Sequence, residues 1–273
     1  MRSGARCQLA PSPRPPIRSR HARHVKQIGR YPGTWATHKM TDLISVVLPV
    51  FNERDSLAPL LEEIAATLAH EPHEVVAVDD GSTDGSLDEL HRLAARHTNL
   101  RAVHRTKRGG QSAALLDGAE NAWGDVIVTL DADGQNDPKD IPQMLERYRQ
   151  QPGQAVVGYR FRRVASGWKR VQARVANAVR DLITGDRVRD TGCALRVIRR
   201  SDMIRLPRFR GVHRFIPTLL RNAGVRVVEV PVNDRPRLHG RSKYGMWNRV
   251  VVGLIDAFGV RWLKLRSLPP DNP

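Results

Sequence analysis

Acidic residues are missing from the first forty positions, which carry Arg2, Arg6, Arg14, Arg18, Arg20, Arg23, Lys26, Arg30 and Lys39 and no Asp or Glu. The same stretch is rich in proline and lacks an apolar period, so residues 1–39 are expected to be a disordered basic leader. It has no apolar h-region, which excludes a secretory signal, and its prolines spoil the amphipathic helix of a transit peptide. Translation beginning at Met40, directly before Thr41-Asp42 and the first apolar run, is the simpler expectation, and intact mass tests it. Cysteine is scarce: Cys7 and Cys193 cannot build a disulfide framework, in keeping with a reducing, cytoplasmic compartment. Long apolar runs are also lacking. None approaches the roughly 18 residues of a membrane-spanning helix, and the best, Val250 to Val260, is interrupted by Asp256.

Two phosphate-binding signatures are absent as well. No G-x-G-x-x-G follows the first strand, which argues against a dinucleotide enzyme, and there is no G-x-x-x-x-G-K-[ST] loop. A calcium loop starting at Asp131 lacks its glycine and its closing glutamate, and one starting at Asp80 ends in His91. What is present in excess is positive charge, +17 over 273 residues, which implies a polyanionic partner: nucleic acid, an anionic bilayer surface or phosphorylated substrates. The leader supplies more than half of that excess. No nucleic-acid motif with interleaved aromatics appears, so nucleic acid is not the expected partner, although a basic nucleic-acid-binding protein is a reading the charge alone allows.

From Ile44 onward, strands and helices alternate. Ile44 to Val50, Glu74 to Val78, Leu100 to His104, Val126 to Leu130 and Ala155 to Tyr159 read as buried strands. Between them lies an amphipathic helix carrying Leu57, Leu60, Leu61, Ile64 and Leu68. A second carries Leu87, Leu90 and Leu93, with Asp84 as its expected N-cap, and a third is opened by Gly109-Gly110. Short connections between such units specify an α/β fold with a mostly parallel, doubly wound sheet flanked by helices. Further on, Trp168 to Thr184 reads as a helix with Val171, Val175, Val179 and Leu182 on one face. Asp190 to Ile198 is a turn feeding a strand; a helix with Ile216, Leu219 and Leu220 and a strand from Val225 to Val230 follow. The expected division is a leader over 1–39, a catalytic domain over 40–246 and an amphipathic C-terminal segment over 247–273.

The chemistry concentrates at strand ends. The run Val126 to Leu130 stops at Asp131-Ala132-Asp133-Gly134-Gln135, two carboxylates one residue apart with a carboxamide two further on. Hard cations take oxygen ligands and are readily shared with phosphates, and ligands collect beyond the carboxyl ends of strands in open α/β sheets. An isolated Asp-x-Asp also suits a solvated turn. Glu53 and the Asp79/Asp80 pair end two other strands, and acids gathered on one sheet edge repel unless something positive sits among them. A nucleoside diphosphate with its metal is a natural occupant. One of Asp79 and Asp80 is expected to close its own turn instead.

Leu48-Pro49-Val50-Phe51-Asn52-Glu53, Val78-Asp79-Asp80-Gly81-Ser82-Thr83-Asp84 and Asp131-Ala132-Asp133-Gly134-Gln135-Asn136-Asp137-Pro138 together resemble the family-2 glycosyltransferases. Asp190-Thr191-Gly192-Cys193 and Gly240-Arg241-Ser242-Lys243-Tyr244-Gly245 narrow the resemblance to the dolichyl/polyprenyl-phosphate hexose transferases, typified by dolichol-phosphate mannosyltransferase. It covers about Ile44 to Lys264, with the motifs in order. It implies a GT-A fold and inverting transfer of a hexose from a GDP- or UDP-sugar to a polyprenyl phosphate at the membrane surface. By the same resemblance, Pro49, Phe51, Glu53, Val78 and Asp80 line the nucleotide pocket. Phe51 stands where the family usually has Tyr, losing a hydroxyl and keeping the stacking surface. Asp131, Asp133 and Gln135 would hold Mg²⁺ or Mn²⁺, with Ala132 between them against the donor. Arg160, Arg237 and Lys243 match phosphate-binding residues, and Asp190 an acid near the reacting groups. Asp133, Asp190 and Arg160 are thus the catalytic candidates.

A lipid phosphate is already anionic near neutral pH and needs little general-base help. The work is electrostatic: bringing two anions together and stabilising the departing diphosphate. Many bacterial relatives continue into transmembrane helices. Here, reaching a lipid would rest on the basic, amphipathic segment from Trp247 to Leu265, peripheral on the cytoplasmic face, or on a membrane partner. A soluble saccharide acceptor is the alternative, and a degenerate, non-catalytic member is disfavoured by the intact Asp131, Asp133 and Gln135.

Overall fold

The computed structural model describes residues 25–28, 43–161, 178–236 and 246–267. Its strands are β1 (Val25–Ile28), β2 (Ile44–Val50), β3 (His73–Asp79), β4 (Leu100–Arg105), β5 (Val126–Thr129), β6 (Ala155–Arg160), β7 (Arg196–Arg199) and β8 (Val227–Val232). They form one sheet in the order β1-β4-β3-β2-β5-β7-β6-β8. The β4-β3-β2-β5 segment is parallel throughout. Beyond it β7 runs antiparallel between β5 and β6, and β8 pairs in parallel with β6. The helices are α1 (Arg54–Thr67), α2 (Ser86–Ala94), α3 (Gln111–Asn121), α4 (Ile141–Arg149), α5 (178–184), α6 (Arg200–Ile204), α7 (Ile216–Asn222) and α8 (Met246–Arg266).

Side chains alternate across a strand, so each central strand serves two cores. Val46 and Leu48 face α1, α2 and α4, where Leu57, Ile64, Leu90 and Met144 pack. Val47, Val76 and Val78 face the other way, onto Leu115 and Ala119 of α3 and onward to Met203, Ile216, Ala257 and Val260. Burial on both faces is why these strands read as continuous Val/Ile/Leu runs. At Gly118, α3 lies so close to β2 that a β-carbon would collide with Val47.

The strand order reverses at β2: β3 and β4 lie to one side and β5 to the other. A crevice at the carboxyl ends of β2 and β5 follows from that reversal, and it is where open α/β sheets take their ligands.

Three local expectations are modified. Val25–Ile28, inside the stretch expected to be disordered, pairs antiparallel with β4 as an edge strand; four residues are too few to show a period in sequence. The rest of the leader lies outside the described residues. Asp84 is not itself the N-cap of α2; Gly85 occupies that position at φ 88°, and Asp84 accepts from Ser86 N and Arg54 N across it. Of the helix expected over Trp168 to Thr184 only 178–184 is described, and Val171 and Val175 lie outside. Val179 and Leu182, expected on one face of that helix, are 39% and 81% exposed.

Candidate active site

The carboxyl ends of β2, β3 and β5 open into a cleft of about 820 Å³, lined by Pro49, Phe51, Glu53, Asp80, Asp131, Ala132 and Asp133. Seven of the expected site residues are thereby brought together. Phe51 lies flat beneath the Arg108 guanidinium, 3.8 Å from ring centre, a cation–π contact that fixes the ring. Glu53 is anchored through its backbone N–H to Ser86 Oγ at 3.0 Å.

The acid pair is held by its own turn. Gln135 N donates to Asp133 Oδ1 at 3.1 Å, Asn136 Oδ1 accepts from Asp131 N at 3.4 Å, and Gly134 supplies φ 74°. From α3, Gln111 Nε2 donates to Asp131 Oδ1 at 2.6 Å. Burial, reinforced by Asp133, pushes the Asp131 carboxyl up to about 6, against the opposing influence of Arg196, Gln111 and Arg160. Two carboxylates that crowd each other in a dry site suit a divalent cation whose other ligands come from a diphosphate and water. Among the described residues no group of three or more His, Cys, Asp or Glu could cage a metal alone, so such an ion would be shared with its ligand. Gln135 is half-buried beside the pair and is not part of the cleft lining.

The two acids after β3 divide their roles. Asp79 is fully buried and accepts from Gly81 N and Ser82 N at 3.2 Å each, with His104 Nδ1 3.0 Å away; it closes the turn. Asp80 lines the cleft, but its oxygens accept from Gly109 N at 2.7 Å, Gly110 N at 2.6 Å and Arg105 Nε at 3.0 Å. It thereby caps the start of α3. Gly110, at φ 81°, allows the backbone to turn its N–H onto that carboxylate.

Other expected residues stand apart from the cleft. The Val78 side chain is in the core. Arg160 is held by Asp190, with Nε–Oδ2 at 2.7 Å and Nη2–Oδ1 at 3.0 Å, and its Nη1 lies 3.8 Å from Asp234. Although burial works against it, these carboxylates keep the guanidinium above its ordinary range. Neither Arg160 nor Asp190 is in the cleft lining. Arg237 and Lys243 lie outside the described residues. The segment before them is tied to the acid-pair loop: Arg235 N donates to Gln135 O at 2.9 Å, and Asn136 bridges to Asp234.

A further part of the lining is not among the expected site residues. It consists of Arg210, Gly211, His213 and Arg214, with Val252 and Asp256 of α8 and Ser112 of α3. The only sequence signal was the density of Arg, Gly and His between Phe209 and Phe215, with no apolar period to place it. Gly211 is at φ 92°, and a β-carbon there would collide with Asp256 Oδ2. Gly211 N and His213 N both donate to Ser112 Oγ, at 3.0 and 3.5 Å, and Ser112 Oγ lies 2.7 Å from His213 Nδ1. With the serine oxygen accepting twice, its hydrogen goes to Nδ1, and the network assigns the ring proton to Nε2. Burial, with Arg214 and Arg196 nearby, pushes His213 down to about 3, so it is neutral at working pH.

A mostly parallel sheet with an acid pair at its switch point is the layout of a GT-A nucleotide-sugar transferase. Residues 45–206 match the model for glycosyl transferase family 2. The chain is 37% identical over 223 residues to a dodecaprenyl-phosphate galacturonate synthase of Rhizobium johnstonii, covering 78% of this chain and 65% of the relative. It is 41% identical over 233 residues to an undecaprenyl-phosphate 4-deoxy-4-formamido-L-arabinose transferase of Pseudomonas aeruginosa, covering 83% and 68%. It thus spans about two thirds of the length of these relatives. Among solved structures it resembles glucosyl-3-phosphoglycerate synthase of Mycobacterium tuberculosis in complex with Mn²⁺, UDP and phosphoglyceric acid. That match has a TM-score of 0.61 and 21% identity, over 84% of this chain and 80% of that one. The chain belongs to glycosyl transferase family 2 and has its GT-A fold.

Proposed function

We propose that this protein transfers a sugar from a nucleoside-diphosphate sugar to a polyprenyl phosphate at a membrane surface, with inversion. The observation that carries the reading is the convergence of Asp131 and Asp133 with Phe51 and Glu53 in one cleft at the sheet's switch point. Two relatives that share about 40% identity bear the names of transferases acting on prenyl phosphates. Their sugars differ, so the donor sugar is left to assay.

In this reading Phe51 and Glu53 receive the nucleoside, and Asp131, Asp133 and Gln135 would hold Mg²⁺ or Mn²⁺, which would supply neutralisation of charge on the leaving diphosphate. An acceptor phosphate oxygen forms the new bond to the anomeric carbon as the bond from that carbon to the diphosphate oxygen breaks. The acceptor oxygen is already anionic, so no side chain need remove a proton. Arg160, held by Asp190, and the basic residues Arg237 and Lys243 are assigned to the donor phosphates.

Access to a lipid is supported by α8. Its inner residues Ala257 and Val260 are buried, whereas Ile255, Phe258, Trp262 and Leu265 are exposed at helical spacing, forming an outward apolar stripe. Arg261, Lys264 and Arg266 are exposed in its last turns. An apolar stripe with Trp and flanking cations suits an anionic bilayer interface. Among the described residues no helix is long and apolar enough to cross a membrane.

The deciding experiment incubates the full chain with Mn²⁺, undecaprenyl phosphate and a panel of UDP- and GDP-sugars. Lipid-linked sugar from one donor is the expected outcome; transfer only to soluble saccharides overturns the lipid acceptor. Flotation with anionic vesicles should show binding at low salt that is lost at high salt, and no association at low salt would count against a peripheral enzyme.

A further inference from the structure

We infer that Arg210 and Arg214 form the seat for the acceptor's phosphate monoester, in the cleft that also holds the acid pair. The inference rests on the transferase reading and adds where the second anion binds.

Three arginines line the cleft with the acids Glu53, Asp80, Asp131, Asp133 and Asp256: Arg108, which lies over the Phe51 ring, and Arg210 and Arg214. Many covered arginines elsewhere are answered, either by carboxylates, as Arg101 with Glu74, Arg105 with Asp80, Arg160 with Asp190, Arg221 with Asp186 and Arg235 with Asp137, or by backbone carbonyls, as Arg196 and Arg200. Among the described residues neither Arg210 nor Arg214 is in an ion pair. Asp256, the nearest acid across the loop, feels Arg214 but does not pair with it, and its Oδ2 has no hydrogen-bond partner.

The loop that presents the two guanidinium groups is fixed in advance. Ser112 holds Gly211 and His213 from α3, and Arg196 Nη2 donates to His213 O at 3.0 Å from β7. Gly211 lets the chain turn against Asp256, where any side chain would collide. A neutral His213 between the two arginines adds no third charge that would have to be balanced. Guanidinium forks suit phosphate oxygens bidentately. Two anions must meet in this reaction, and they repel unless each has its own cationic partner. With the donor diphosphate assigned to the acid pair and its metal, Arg210 and Arg214, without a carboxylate partner among the described residues, are left for the acceptor phosphate. The phosphate could come from a prenyl lipid or from a free phosphate compound, a matter of source rather than of chemistry.

The test is calorimetric titration of the full chain with farnesyl phosphate, farnesol and inorganic phosphate, alongside UDP or GDP with Mn²⁺. Wild type should bind farnesyl phosphate far more tightly than farnesol. Arg210→Ala and Arg214→Ala should each weaken farnesyl phosphate about tenfold or more while nucleotide affinity stays within about twofold. Arg210 is exposed, so its variant tests the seat even where Arg214→Ala impairs folding. Unchanged farnesyl phosphate affinity in the double variant overturns the proposal. So does an equal loss of nucleotide affinity, or a selective loss of UDP-galacturonate relative to UDP-galactose, because the arginines would then belong to the donor. Arginine-dependent binding of inorganic phosphate as tight as that of farnesyl phosphate upholds the seat and overturns the lipid source. Failure of wild type to bind either nucleotide, with arginine-dependent farnesyl phosphate binding intact, sinks the transferase reading and leaves the seat standing.

Discussion

At the amino ends of β2, β3 and β4, Glu74 is buried with every charge answered. Ser45 Oγ donates to it at 2.6 Å, Trp123 N at 2.5 Å, and Arg101 Nη1 at 2.9 Å, with Arg101 stacked on the Trp123 ring. At the carboxyl ends of the same sheet, Asp131 is pressed against Asp133 and its carboxyl is pushed up to about 6 by burial and by that neighbour. Both ends use an acid in a covered position. The difference is closure: one network neutralises itself and stabilises the fold, the other sets two acids against each other where a cation would relieve their repulsion. Acids of the first kind are structural, and acids of the second kind are where a ligand is to be sought.

Two substitutions can break that comparison. Asp133→Ala should lower transfer by about a thousandfold or more, through loss of electrostatic stabilisation of the leaving group, while the melting temperature changes little because one of two repelling acids is gone. Sugar-transfer rates beside thermal melts check it. Glu74→Ala should do the reverse: stability falls by about 3 kcal/mol or more, because Arg101 is left buried without its partner, whereas nucleotide–Mn²⁺ affinity is retained. Urea unfolding and nucleotide titration measure the two effects, and comparable loss of nucleotide binding from both variants would erase the distinction between the ends.

A smaller effect sharpens the picture of the Arg210–Arg214 segment. In the unfolded chain the His213 imidazole has its ordinary pKa of 6.5, and in the folded protein burial, with Arg214 and Arg196, pushes it down to about 3. Between those values the unfolded chain takes up a proton that the folded one refuses. Its contribution is therefore intact above about pH 6.5 and is lost as pH falls toward 3. Between pH 6.5 and 5 the loss is at most about 2 kcal/mol. His213→Asn, which keeps an acceptor for Ser112, should flatten this part of the acid limb in urea titrations at stepped pH. An unchanged slope would mean that the imidazole is not kept neutral by its surroundings.

The sequence disclosed the first half of the site far better than the second, for physical reasons. Asp131, Asp133, Asp80 and Glu53 each follow an apolar strand run, and a strand buried on both faces announces its own end. Asp79 and Asp80 read alike in sequence; only the folded turn shows Asp79 bonding to Gly81 and Ser82 while Asp80 reaches α3. Arg210, His213 and Arg214 lie in a loop and a single 3-10 turn, Val212–Arg214, which carries no period. Their role arises from contacts with Ser112 and Asp256, 99 or more positions away in the first case. Glu74–Arg101 was invisible for the same reason: both sit inside strands as polar residues among apolar ones, and pairing across β3 and β4 is what satisfies them. The antiparallel insertion of β7 likewise depends on a non-local choice that strand pattern does not encode.

The smallest effect is the control for closure. Arg149 and Glu71 form a fork-to-fork pair, with both distances 2.7 Å, just before β3 and at the end of α4. The geometry is at least as good as that of Arg101–Glu74, yet Arg149 is 53% and Glu71 29% exposed in their side chains, against 4% and 1% for the buried pair. Water already solvates both ions and screens their attraction, so Arg149→Ala should cost less than about 1 kcal/mol. Removing Arg149 leaves Glu71 hydrated, whereas removing one member of the buried pair strands its partner in the core. A urea midpoint shift for Arg149→Ala as large as that for Glu74→Ala would show that ion pairing itself, rather than burial of an answered charge, holds the amino ends of the sheet together.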